Sequence, residues 1–169
     1  MAKFEIRDAE LDGYVDKLLM LRDKSPIGKA VYEGAKIVAD QIKANIKSIP
    51  ISYAWGTPSK PVEGITPYQR KGLIDGFGIS HMKNESGYIN VKTGFNGYNK
   101  TVSKTASRAK WSAKQQSNAM IARSVEKGTS FRKKHPFVAP AVRKTKAAAE
   151  TAMKKKFDEL LIEEGFKKE

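Results

Sequence analysis

The sequence predicts an α+β fold: long helices packed on a small antiparallel β-sheet, with a long basic loop. Three observations lead there. Ile27, Val31, Ala35, Val38, Ile42 and Ile46 form one apolar stripe at helical spacing, and Val142, Ala149, Met153, Phe157, Leu160 and Leu161 form another. Between them, Leu73, Phe77 and Ile79 share one face of an extended segment, and Ile89, Val91, Thr93 and Phe95 share one face of the next. Finally, Asn96 to Lys134 holds ten Lys/Arg and a single acid, Glu126, so much of the +14 net charge is concentrated there.

A length of 169 residues suits a single domain spanning 1–169 with a modest core. Its first 23 residues are expected to be an N-terminal helical extension, and residues 96–110 a mobile basic loop. Hydrophobic residues make up 40% and charged residues 30%, which marks a globular chain. The absence of cysteine excludes disulfides, thiolate metal sites and thiol nucleophiles. The charged N-terminus has no signal-peptide core, and no apolar run reaches membrane-spanning length, so a soluble protein made in the cytoplasm is expected.

Taken in order, the elements follow from local chemistry. Leu11, Tyr14, Val15, Leu18 and Leu19 fall at helical spacing behind Asp8, a plausible cap. Ser25-Pro26 starts the most secure helix, since a proline in the first turn lacks only an amide with no intrahelical partner. Pro50 stops it. Ser52 to Gln69 carries Pro58, Pro61 and Pro67 with Gly56 and Gly64, and reads as loop, with Tyr53 and Trp55 anchoring it to the core. The two extended segments make a hairpin about the turn residues Asn84 to Gly87.

A helix is expected again from about Arg108 to Lys127, with Trp111, Gln115, Ala119 and Ala122 or Arg123 in line. Gly128 ends it by taking the left-handed conformation, and Thr129 and Ser130 begin a turn. Pro136 and Pro140 bracket Phe137, Val138 and Ala139, where the last helix starts, running to about Glu164 with Gly165 beyond it. Phe137 should anchor that helix, inserted in the core or in a neighbour.

No constellation here carries catalysis. His81 and His135 lack partners at ligand spacing, so no metal site is expected. Glu126 reads as a helix-terminal carboxylate paired with Arg123, Lys127, Arg132, Lys133 or Lys134. The glycines at 72, 76, 78, 94 and 97 build no phosphate-binding loop, so no cofactor and no small-molecule substrate are expected. The basic surface, Lys100, Lys104, Arg108, Lys110, Lys114, Arg132, Lys133 and Lys134, suits a polyanion or an acidic protein face.

Several steps occur in an order that resembles a tailed-phage family of head-tail joining, or tail-completion, proteins of the lambdoid siphophage type. A long helix (Ile27 to Pro50) is followed by Gly72-Leu73 and then by Val91-Lys92-Thr93-Gly94-Phe95-Asn96-Gly97-Tyr98. After these come Glu126-x-Gly128-Thr129 and Pro136-Phe137-x-x-Pro140-Ala141, and an alanine- and lysine-rich terminal helix closes the set. The chain departs from the family pattern in its long Ile51 to Pro67 loop and in Lys71, which stands where the family has threonine. The resemblance implies a minor tail protein of the virion neck or tail, assembled in the host cytoplasm from phage or prophage genes. It implies a homo-oligomeric ring, a hexamer among the stoichiometries, that docks neighbouring head-completion and tail proteins without catalysing a reaction. The alternative reading is a nucleic-acid-binding protein using residues 96–134, with Tyr98, Trp111 and Phe131 for stacking.

Overall fold

The structure, a computed structural model, describes residues 25–54, 56–85, 88–99 and 116–163. The expected N-terminal helix, Trp55, Trp111, Gln115, Gly165 and the basic residues Lys100, Lys104, Arg108, Lys110 and Lys114 lie outside the described residues. In chain order the elements are α1 (Ser25–Ser48), α2 (Pro67–Gly76), β1 (Phe77–Ile79), β2 (Lys83–Glu85), β3 (Tyr88–Asn90), β4 (Thr93–Phe95), α3 (Asn118–Lys127) and α4 (Val138–Glu163). The class is α+β, as the periodicities predict.

Helices α1 and α4 form the body of the molecule, packed along each other. They run antiparallel: the C-terminal half of α1 meets the start of α4 through Asn45, whose Nδ2 donates to the carbonyl of Phe137 at 2.9 Å. Toward the N-terminal half of α1, Gly34 faces Met153 and Ala149 farther along α4. A Cβ at Gly34 would stand 2.5 Å from Met153 Cγ and 3.2 Å from the Ala149 carbonyl, so a hydrogen there lets the helices approach closely. The buried residues of α1 are therefore Pro26, Gly28, Ala30, Gly34, Ala39, Ile42 and Ile46, with Ile49 buried just beyond its end, whereas Val31, Ala35 and Val38 are half-buried and Ile27 is exposed. This rotates the expected stripe toward its small residues. On α4 the same happens: Ala141, Thr145, Ala149 and Leu160 are buried, and Val142 is exposed.

The chain from Pro67 is helical, against the expected loop and strand. Pro67 fills the first position of α2, and Thr66 and Gln69 close a reciprocal capping box: the Gln69 amide donates to Thr66 Oγ1 at 3.1 Å, and the Thr66 amide donates to Gln69 Oε1 at 3.2 Å. Leu73 is consequently a buried helical residue and not a strand residue.

The hairpin is present, in two halves. β1 pairs antiparallel with β4, Phe77 opposite Phe95 and Ile79 opposite Thr93, while β2 pairs with β3, Asn84 opposite Ile89. Three residues, Ser80 to Met82, oppose only Val91 and Lys92, so the register slips by one between the halves as at a bulge. Ser80 bridges the break: its amide donates to the Lys92 carbonyl at 2.7 Å, and the Lys92 amide donates to Ser80 Oγ at 2.9 Å.

One core unites the elements. Ile42 and Ile46 of α1 and Ile49 just beyond it pack with Ile65, Leu73, Phe77, Ile121, Val125, Phe137 and Ala141. Phe95 links the sheet to it, its ring 4.9 Å from that of Phe77 and 5.9 Å, edge-on, from that of Phe137.

Candidate functional site

The ends of α3 and α4 meet around Glu126. α3 begins at Asn118, because Ser117 is extended and bridges to Tyr98, so the helix expected from Arg108 to Lys127 does not run through Ser117; residues 108–115 lie outside the described residues. The Asn99 amide donates to the Gln116 carbonyl at 2.8 Å, so the chain leaves for residues 100–115 and returns from them at one point. At the far end of α3, Gly128 has φ 76° and ψ 169°: the positive φ expected, in an extended basin that is also a glycine preserve.

Beyond Gly128 the chain makes a tight turn. Thr129 and Arg132 exchange backbone hydrogen bonds at 2.9 and 3.2 Å, and the His135 amide donates to the Val125 carbonyl at 2.8 Å. That folding-back places the first residues of α4 beside Glu126. Glu126 Oε2 accepts the backbone N–H of Phe137 at 2.7 Å and of Val138 at 2.9 Å, and Oε1 accepts that of Ala139 at 3.1 Å. A carboxylate from one helix thus caps the next, meeting amides that the helix start leaves unsatisfied and the positive end of its dipole. Burial alone would push this carboxyl up. The amides of Val138, Phe137 and Ala139, with the Lys134 ammonium beyond, outweigh burial and hold it below the ordinary carboxylate range. The expected ion pair with a neighbouring cation is replaced by this cap.

The motif residues separate into interior and surface. Phe137, 1% exposed, and Ala141 are buried within the chain, Glu126, Gly128 and His135 are half-buried, and Thr129, Pro136 and Pro140 are exposed. His81 is exposed. Of the basic residues described, Lys133 and Lys134 lie outside, and Lys133 pairs with Glu63 at 3.5 Å, both well exposed. Arg132, expected on the same surface, is turned inward. Its guanidinium donates to the Gly64 carbonyl at 2.9 Å and to Gln69 Oε1 at 3.0 Å, and its burial lowers its pKa from the ordinary arginine value. Arg132 ties the proline-rich loop to the turn, where the Val62 amide donates to the Phe131 carbonyl and the Lys133 amide to the Val62 carbonyl, both at 2.9 Å.

Between that loop, the start of α3 and the 129–132 turn lies a groove of about 880 Å³. Its lining includes Ala54, Val62, Ile65, Ile121, Met120 and Phe131, with Gln69, Gln116 and Arg132 as polar members. Met120 is 71% exposed and Phe131 54%, two large apolar side chains left to solvent on the same groove. Sequence reasoning missed this groove, because its walls come from three separated stretches. Tyr53, expected to anchor the loop, is 80% exposed and stands off the core.

Among the described residues, no group of three or more His, Cys, Asp or Glu gathers, and no helix is long and apolar enough to cross a membrane. Comparison with protein-family models, with curated proteins and with solved structures gives no match.

Proposed function

We propose that the chain is a structural virion protein of a tailed phage or prophage that completes the tail and joins it to the head, assembling as a ring at the neck by protein–protein docking. One observation carries this reading: the two steps that resemble the tail-completion family, Glu126-x-Gly128-Thr129 and Pro136-Phe137-x-x-Pro140-Ala141, meet in space as a single clasp. Residues that serve one structural unit are a stronger ground for the resemblance than the same letters scattered over the fold. The exposed apolar groove beside the clasp leaves surface for docking. A ring closes through heterologous contacts, one patch against a different patch of the next copy.

A second reading, nucleic-acid binding, is favoured by exposed Lys133 and Lys134 together with exposed Tyr98 and Phe131. The two are separated by sizing the purified protein alone and mixed with the products of neighbouring genes, alongside DNA titration at rising salt. The assembly reading expects a discrete oligomer or a complex with a neighbour. A chain carrying Lys100→Ser, Lys104→Ser, Arg108→Ser and Lys110→Ser should then fold normally and join heads to tails poorly. A monomer that ignores those neighbours, and binds DNA with an affinity falling steeply with salt, overturns assembly in favour of nucleic-acid binding.

A further inference from the structure

The apolar groove commits this protein to one kind of occupant. Met120 and Phe131 stand at its rim, and Ile65 and Ile121 lie buried at its floor. The segments that build it also carry Lys60, Arg123, Lys127, Lys133 and Lys134, all exposed, and Arg123 and Lys133 directly adjoin the lining residues Ser124 and Arg132 in the chain. Two acids lie nearby: Glu126 spends its carboxylate on the α4 amides, and Glu63 pairs with Lys133. An occupant should therefore be apolar on one face and acidic on another.

The chain contains such a segment. Residues 1–16 hold five acids, Glu5, Asp8, Glu10, Asp12 and Asp16, against Lys3 and Arg7, although the whole chain carries +14. Leu11, Tyr14, Val15, Leu18 and Leu19 follow the i, i+3, i+4, i+7 spacing by which a helix lays anchors into a groove. Residues 100–115, which also lie outside the described residues, have five Lys/Arg and no acid, and like charge opposes their entry.

Geometry separates a chain's own segment from a neighbour's. The floor of the groove at Ile65 lies past the C-terminal end of α1, where the Ile65 amide donates to the Pro50 carbonyl. The 24 residues of α1 put that end about 36 Å from Ser25, at ~1.5 Å per residue. Six fully extended residues from Ser25 back to Leu19 span roughly 20 Å. A helix from Leu19 to Leu11 adds about 12 Å. The tip of a chain's own helix, about 32 Å from Ser25 at most, therefore falls short of the Ile65 end of its own groove, a limit that the segment of a second copy does not meet.

We propose that the N-terminal segment of a second copy of this chain docks as an amphipathic helix in the groove between the proline-rich loop, α3 and the 129–132 turn, seating Leu11, Tyr14, Val15 and Leu18 against Met120 and Phe131. It rests on the reading of the protein as a self-assembling one and names the contact that propagates the assembly. Because the chain has no cysteine, single thiols can be placed at will. Full-length Leu18→Cys is mixed with full-length Met120→Cys and treated with a short thiol-reactive cross-linker, and light scattering is run in parallel. The expected result is a two-chain product several-fold above that of Leu18→Cys mixed with Ala148→Cys, whose site is exposed on α4. Adding Leu11→Asp to the Leu18→Cys chain should return the yield to that control, and raised salt should lower it. A yield equal to the control in a protein that is still oligomeric overturns the groove contact and leaves the assembly reading standing. A monomer overturns both, and a Leu18→Cys/Met120→Cys double variant that links only within one chain at dilution overturns the second copy as occupant.

Discussion

The carboxylate of Glu126, on α3, accepts the backbone N–H of Phe137 at 2.7 Å, while the carbonyl of the same Phe137 accepts from Asn45 on α1 at 2.9 Å. Both polar groups of one residue are thus held by different helices, and its ring fills the core between them. Phe137 is the point at which α1, α3, α4 and the sheet are joined.

The cap should make stability depend on pH. Glu126 has a folded pKa below its unfolded value, near ~4.3 for a glutamate, so its contribution is fully present above that value and is lost as pH falls through the folded pKa. Thermal melts from pH 7 down to pH 3 should show a larger fall in Tm for the parent protein than for Glu126→Gln, which at neutral pH should be less stable by about 1–2 kcal/mol, as for loss of a helix cap. Parallel acid profiles for the two proteins would show that the carboxylate charge adds nothing.

Phe137→Ala should cost about 3–5 kcal/mol, because the ring is enclosed within one chain and its removal leaves a cavity in the core beside Phe95. Denaturant unfolding gives the answer directly. Unchanged stability with failed assembly would place the ring in an interface instead.

Gly34→Val should destabilise by about 1–3 kcal/mol through overpacking where Gly34 of α1 faces Ala149 and Met153 of α4. Of its two nearest neighbours, Met153 is flexible and can move, but the Ala149 carbonyl belongs to helix backbone and cannot without shifting α4. Calorimetry on Gly34→Val and on Gly34→Val/Met153→Ala should show only partial rescue. Full recovery in the double variant would trace the cost to the methionine alone.

Much of the fold was legible along the chain because its signals are local. Ser25-Pro26, the Ile42–Ile46 period, the hairpin, the positive φ at Gly128 and the proline-bracketed start of α4 each depend on residues within a turn or two. The helix at Pro67 was legible too, through Thr66 and Gln69 at capping-box spacing, but the density of proline and glycine before it argues for a loop. The start of α3 was not, since what stops helix at Ser117 is its bridge to Tyr98.

By itself the sequence determined the helical and extended periods, the basic middle and the choice of Phe137 as anchor of the last helix, all of which follow from side-chain chemistry and short-range spacing, while the structure put its ring in the core of the chain and not in a neighbour. Tertiary structure decided which face of α1 goes inside, favouring Gly34 and Ala39 over Val31 because two long helices gain most contact where small residues let their backbones approach. It also chose the partners of the charged groups, sending Glu126 to the amides of α4 and Arg132 to Gly64 and Gln69. A charge settles where the unsatisfied donors and acceptors are, and those positions exist only once residues far apart in the chain have been brought together.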